Sequence, residues 1–292
     1  MAVISTHRNR ILHETETESI IRNSDIEQRT EYGTVEFEGS SAIVTGGASG
    51  LGEATARTLA ANGMRVTVVD LDEAGGTRVA GDIGGRYAHA DVTDPEQVIA
   101  ALDATLARGP LRAAVNCAGV PSLSRTVGRD GSYESAHDLA AFRRVVEVNL
   151  IGTFNVTRLA ATAMGRGEPD EDGARGVIVN TTSVAAFEGQ VGQAAYSASK
   201  GGVVGLTLPL ARDLAVIGVR VVTIAPGLID TPIYDTVPDP AEFKARLARD
   251  VVFPRRLGRS AEFASLAWEL VRNPYANGEV FRLDAGVRLP PK

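Results

Sequence analysis

From Ser41 onward the chain alternates short β-branched runs with longer alanine-rich stretches. The runs fall at residues 42–45, 65–70, 113–116, 177–180 and 219–225 and are apolar almost throughout. Strands that read as continuous apolar runs are covered on both faces, which is the mark of a parallel sheet. Between them, residues 53–61, 96–107, 140–165 and 198–217 carry apolar positions at helical spacing. Strand and helix in alternation predict βαβ units, hence an α/β fold: one doubly wound parallel sheet with helices on both faces. The first 38 residues lack this texture. They are polar and weakly periodic, and are expected to form an N-terminal extension, partly disordered or contacting a neighbouring subunit. One domain is expected from residue 39 to residue 292. Three irregular inserts interrupt it, at 122–137, the acidic 165–176 and the proline-rich 230–254, the last expected as a mobile flap over a site.

Composition removes several function classes. A chain of 292 residues with 44% hydrophobic and 23% charged residues fits one soluble domain. The net charge of −6 offers no electrostatic footprint for nucleic acid. A single cysteine, Cys117, cannot form an intramolecular disulfide, and four scattered histidines (His7, His13, His89, His137) have no metal-ligand spacing. No metal is expected. The most apolar region, 201–227, is broken by Arg212, Asp213 and Arg220 and is not a membrane span. No apolar core marks an export signal, and the acids among the first forty residues argue against a mitochondrial transit peptide. The expected location is cytoplasmic.

Thr45-Gly46-Gly47-Ala48-Ser49-Gly50-Leu51-Gly52 follows the first strand and opens a helix. Without Cβ atoms the backbone approaches a pyrophosphate closely, and a helix N-terminus presents free N–H groups to it. No Lys-Ser/Thr follows, which excludes a nucleotide-hydrolysing P-loop. The second strand ends at Asp70, at the offset where a carboxylate accepts bonds from an adenosine ribose and repels a 2′-phosphate. Leu71 and Asp72 follow rather than arginine, so NAD is favoured over NADP. Asp91-Val92 after the third strand, and Asn116-Cys117-Ala118-Gly119 after the fourth, fall at the carboxyl edge of the sheet, where open α/β folds bind ligands.

Tyr196-Ser-Ala-Ser-Lys200 sets a phenol and an ammonium four residues apart, on one helix face. A tyrosine titrates near 10, and a nearby ammonium favours its phenolate, drawing the pKa toward neutrality. With three lysines against 27 arginines in the chain, a lysine at position 200 is unlike its background. A lysine's pKa shifts with its surroundings in a way a guanidinium's does not. Ser183, at the end of the fifth strand, is placed to hydrogen-bond the same substrate oxygen as the tyrosine. Asn149, inside the preceding helix, is a candidate to fix a water behind the lysine.

Together these residues resemble the short-chain dehydrogenase/reductase family, from about residue 37 to the C-terminus. The resemblance rests on Thr45 to Gly52, Asp91, Asn116 to Gly119, Asn149, Ser183, Tyr196, Lys200 and Pro226-Gly227, with Cys117 standing where many members carry a second asparagine. It implies a single Rossmann domain, a tetrad of Asn149, Ser183, Tyr196 and Lys200, and a homotetramer. Residues 164–170, 175–180, 183–200, 225–228 and 277–284 look like the type II 3-hydroxyacyl-CoA dehydrogenase subfamily. That similarity implies NAD contacts from Ser49, Leu51, Asp70, Asp91, Val92, Cys117, Tyr196, Lys200, Ile229 and Thr231. Gly46, Gly50, Gly52, Asn116, Ala118, Gly119, Pro226 and Gly227 complete the expected cofactor set; Ser183, Gln193 and Tyr196 are the expected substrate contacts. The implied activity is NAD-dependent interconversion of (S)-3-hydroxyacyl-CoA and 3-oxoacyl-CoA. The alternatives are a hydroxysteroid dehydrogenase, a 3-oxoacyl-carrier-protein reductase, which normally uses NADPH and is opposed by Asp70, and a scaffold subunit without catalysis. The expected partner is a small molecule, an acyl-CoA thioester or hydroxysteroid, with neither nucleic acid nor membrane.

Overall fold

The computed structural model describes residues 37–235 and 238–291. The N-terminal extension expected over 1–38 lies almost wholly outside these described residues. The strands are β1 (Ser41–Thr45), β2 (Arg65–Asp70), β3 (Arg86–His89), β4 (Leu111–Asn116), β5 (Gly176–Thr181), β6 (Val219–Pro226), β7 (Ile229–Asp230), β8 (Gly258–Arg259) and β9 (Val280–Leu283). The helices are α1 (Gly50–Ala61), α2 (Glu73–Asp82), α3 (Pro95–Leu106), α4 (Leu139–Val146), α5 (Thr153–Gly165), α6 (Ala194–Leu214), α7 (Pro240–Leu247) and α8 (Ser260–Arg272).

Seven strands form one parallel sheet in the order β3-β2-β1-β4-β5-β6-β9. The two-residue alternation of strand side chains divides the core in two. Ile43, Val69, Ala114, Ile178 and Val221 face α3, α5 and α6, packing with Leu102, Val156 and Leu210. Val44, Val68, Val115, Val179 and Val222 face α1, α2 and α8, packing with Leu59, Val79 and Phe263. This is the α/β Rossmann fold expected from the apolar runs. Strand β1 lies between β2 and β4, so successive connections leave it toward opposite edges. That reversal opens a crevice at the carboxyl ends of β1 and β4, where the glycine loop and the Asn116–Gly119 turn begin.

Three stretches differ in detail from the sequence reading. Residues 140–165, read as one helical stretch, are α4 and α5 joined by a π-helical segment, Glu147–Gly152. The extra residue in that turn brings Gly152 against Val92, where a Cβ would stand 2.6 Å from the valine Cγ2, and turns Asn149 inward. The flap over 230–254 contains α7 and two short 3₁₀ turns, Pro232–Tyr234 and Ala248–Asp250. Its base is closed by the parallel pairing of β7 with β8. Helix α2 was not legible, with three glycines in ten residues; it starts because the Asp72 carboxylate accepts from the Gly75 N–H (3.1 Å), and buries Val79 and Ala80. Among the described residues no helix is long and apolar enough to cross a membrane.

Candidate active site

The cavity at the switch point is built first from backbone. Gly46 takes a left-handed φ of +64°, and a Cβ there would stand 2.7 Å from the Ala118 nitrogen. A Cβ on Gly52 would stand 2.0 Å from the Gly46 carbonyl oxygen. Only glycine lets the loop fold onto the first turn of α1 and, on its other side, onto the turn after β4. The Ser49 side chain makes no capping bond, so the first amides of α1 are left for an anion.

At the end of β2 the Asp70 carboxylate is held by two main-chain donors, Ala48 N–H to Oδ2 and Asp72 N–H to Oδ1, both 3.0 Å. The Arg78 guanidinium reaches the Ala48 carbonyl (3.3 Å) but is gripped by both oxygens of Glu53, at 2.9 and 2.8 Å. The bond from Arg78, helped by Arg57, holds the Glu53 carboxyl down to about 2 against the effect of burial. At the end of β3, burial would raise the Asp91 carboxyl. Bonds from the Thr93 N–H (2.9 Å) and hydroxyl (2.8 Å), with Arg144 4.0 Å away, outweigh it and hold the group below its usual range.

Deeper in the crevice α6 presents Tyr196 and Lys200 one turn apart. The Lys200 Nζ stands 5.8 Å from the centroid of the phenol ring and donates to the Thr181 carbonyl at 2.9 Å. Burial pushes this ammonium down to about 8. Burial also pushes the Tyr196 phenol above its ordinary value, with a hydrogen bond to Ser183 acting the other way. The expected lowering of the tyrosine by the lysine is therefore overruled in this geometry. Desolvation lowers the pH at which Lys200 gives up its proton, and at Tyr196 it favours the neutral phenol. Cys117 accepts from the Thr181 hydroxyl at 3.6 Å, and desolvation pushes its thiol up to about 11, far from nucleophilic range. Tyr234 of the flap is pushed up to about 12, first by burial and then by the charges of Tyr196 and Asp230.

A cavity of about 500 Å³ joins these groups, with the glycine loop and Asp70 at one end and Tyr196 and Lys200 at the other. A phosphate-cradling loop, a ribose-binding carboxylate and a phenol–ammonium pair in one crevice are the parts of a hydride-transfer site. The family model described as short chain dehydrogenase matches residues 40–241. The chain belongs to the short-chain dehydrogenase family. It is 54% identical over 259 residues to 3-hydroxyacyl-CoA dehydrogenase type-2 of Bos taurus, covering 87% of this chain and 97% of that protein. The Homo sapiens protein of the same name is 52% identical with the same coverage. The crystal structure of 3-hydroxyacyl-CoA dehydrogenase type-2 from Mycobacterium avium superposes with a TM-score of 0.83 at 44% identity, covering 89% of this chain and all of that one.

This short-chain dehydrogenase is thus an oxidoreductase that works with a nicotinamide cofactor on a small-molecule substrate. Its cavity is lined by most of the residues singled out from the sequence. From the glycine loop come Gly46, Ser49, Gly50, Leu51 and Gly52; from the ends of β2 and β3 come Asp70, Asp91 and Val92. Cys117, Ala118 and Gly119 line its floor, with Tyr196, Lys200, Pro226 and Thr231 beyond. Six candidates lie outside the lining. Asn116 is buried beneath it, donating to Asn180 Oδ1 (2.9 Å) and Thr157 Oγ1 (3.3 Å). Gly227 packs on Asp284, and Ile229 sits in β7 beside Gly258. Ser183, whose hydroxyl accepts from the Ala185 N–H at 3.1 Å, acts on the Tyr196 phenol from just outside the lining.

Gln193 and Asn149 are the remaining two. Gln193 lines a neighbouring cavity of about 460 Å³, and its Oε1 accepts from the Gln190 N–H at 2.9 Å. The Asn149 side chain is wholly engaged by Val120 and Ser199. These bonds make it a strut between the Val120 segment and α6. The sequence reading missed Val120, Pro121, Arg144, Thr181 and Thr182, all in the cavity wall. Val120-Pro121 continue the turn after β4 and Thr181-Thr182 precede Ser183, so adjacency to named residues was the available signal. Arg144 had none.

Proposed function

We propose that this dehydrogenase interconverts (S)-3-hydroxyacyl-CoA and 3-oxoacyl-CoA thioesters with NAD. The observation that carries the reading is the single crevice joining the Asp70 carboxylate and glycine loop to Tyr196 and Lys200. The relatives named 3-hydroxyacyl-CoA dehydrogenase type-2, about half identical over nearly their whole length, support the thioester as substrate. Asp70 supports NAD: its carboxylate, held by a main-chain amide at the end of β2, would repel a 2′-phosphate, and the nearby Arg78 is paired with Glu53.

The glycine cradle that a Cβ would fill, with the uncapped start of α1, fits a dinucleotide pyrophosphate; Asp70 would hold the adenosine ribose and Asp91-Val92 the adenine. A bound NAD supplies the hydride acceptor and, when oxidised, a positive charge that favours the phenolate. The chain's own groups then manage the proton. The Tyr196 Oη takes the proton of the substrate hydroxyl in oxidation and returns it in reduction, while Ser183 holds the substrate oxygen in line. Lys200, anchored on the Thr181 carbonyl, keeps an ammonium near the phenol below about pH 8. Positioned acid–base action of this kind is worth roughly 10²–10⁴ in rate, and orientation supplies much of the remainder.

The test is NADH oxidation by purified protein with acetoacetyl-CoA, beside a 3-oxosteroid and a 17-oxosteroid, and NAD reduction with the (S) and (R) forms of 3-hydroxybutyryl-CoA. The reading expects fast turnover of the thioester and of the (S) form. Turnover confined to the steroids would overturn the substrate assignment while leaving cofactor and acid–base pair in place.

A further inference from the structure

Asn149 and Ser199 are both fully buried, on different elements, and neither reaches the cavity. They form a directional chain of hydrogen bonds. The Val120 N–H donates to Asn149 Oδ1 (2.7 Å), and the Asn149 amide donates to the Val120 carbonyl (3.0 Å) and to Ser199 Oγ (3.1 Å). The Ser199 hydroxyl in turn donates to the main-chain carbonyl of Tyr196 at 2.7 Å. A helical serine often back-bonds to its own helix, and alone that bond would signify little. Here the same hydroxyl also accepts from the π-helical segment, so one oxygen joins two elements and Asn149 carries the link on to Val120. Further along the helix, the Thr182 hydroxyl donates to the Lys200 carbonyl at 2.7 Å. The carbonyls of Tyr196 and Lys200 are therefore each held by a side-chain hydroxyl.

We propose that Ser199 is a positioning residue for the reaction: it locks the Tyr196 turn of α6, through Asn149, to the Val120 segment of the cavity wall. Val120 lines the cavity and Ser199 does not, so the lock sets the distance between the phenol and the floor without touching either reactant. A misplacement of about 1 Å at a reacting group is enough to cost up to roughly a hundredfold in rate.

The experiment compares steady-state kinetics of Ser199→Ala, near-isosteric Ser199→Cys and the control Thr207→Val. Thr207 lies on the same helix, is equally buried, and shares a 2.7 Å hydroxyl pair with Thr223 in the body of the sheet. Ser199→Ala and Ser199→Cys are expected to lower kcat about tenfold, with KM for the thioester and NADH affinity unchanged. Thr207→Val is expected to keep wild-type kcat. In an Asn149→Ala background the Ser199→Ala change should lower kcat less than about twofold further, since the chain is already cut. Wild-type kcat in both Ser199 variants, an equal loss in Thr207→Val, or full additivity with Asn149→Ala would each overturn the proposal. Should the alanine variant fail to fold, the cysteine variant decides alone. The inference rests on Tyr196 as the acid–base group. An active Tyr196→Phe enzyme refutes that reading, whereas an inactive one beside fully active Ser199 variants refutes only this one.

Discussion

The two long sides of the cavity are built by different means. On the glycine-loop side the shape is made by main chain: Gly46, Gly52 and the Cys117–Ala118 peptide pack so closely that a single added methyl would collide with backbone. Even the Asp70 side chain is oriented by two amides rather than by other side chains. On the flap side the contacts are between side chains. Lys244 bridges Asp230 and Asp235 at 2.9 Å each, Tyr234 meets Phe243 with ring centroids 5.7 Å apart, and Arg246 covers Phe243. Backbone geometry admits one solution, which suits the recurring part of a dinucleotide, and Asp70 at its edge adds the charge proposed to tell NAD from NADP. Side-chain contacts can be exchanged piecemeal, which suits the side that chooses the substrate. Tyr196 stands where the two meet.

Four changes would sharpen or break that contrast, and they are ordered by size. Tyr196→Phe removes the group both sides serve. It should lower kcat by roughly 10³ while NADH binding, followed by fluorescence titration, stays close to wild type. Asp70→Ala tests the glycine-loop side. It removes the ribose acceptor and the charge that repels a 2′-phosphate, so the ratio of NAD to NADP affinity should fall about a hundredfold. Retention of the wild-type ratio would show that selection lies elsewhere.

Lys200→Met concerns the junction. Burial brings the lysine from 10.5 down to about 8 in the folded protein. Between those pH values the unfolded chain keeps a proton that the folded one has released, so stability rises with pH across that window. Below about pH 8 the whole penalty of the buried ammonium stands. Removing it should stabilise the protein at pH 7 by about 2 kcal/mol, after allowing for the lost bond to Thr181. The gain should shrink as the pH approaches 10, which thermal unfolding at several pH values would show. Lys244→Met concerns the flap alone. It cuts an exposed double ion pair and should raise KM for the thioester two- to threefold, with NADH affinity and kcat nearly unchanged. A tenfold loss of NADH affinity would mean that the two sides are coupled.

How much of this was legible in the sequence follows the same division. The central strands were read to within two residues because, buried on both faces, they must be apolar over their whole length. The glycine loop and Asp70 were legible because backbone approach and ribose recognition leave few residue choices. What escaped depends on contacts distant in sequence. Helix α2 has weak intrinsic propensity and is secured by a cap and by burial. The π-helical turn that carries Asn149 follows from packing against Val92 and Val120. Gln193 was placed by resemblance at the substrate, while its amide faces a separate cavity. The rise of the Tyr196 pKa was missed because a motif shows which charges are near, and not how far water is excluded.

The central claim is that the main-chain side of the crevice selects NAD and delivers it to Tyr196. It is tested most directly by the initial rates of NADH and NADPH oxidation by the wild-type enzyme, with acetoacetyl-CoA as common acceptor. The account predicts a kcat/KM for NADH at least about a hundredfold above that for NADPH, the discrimination attributed to Asp70. Equal values for the two cofactors would contradict it.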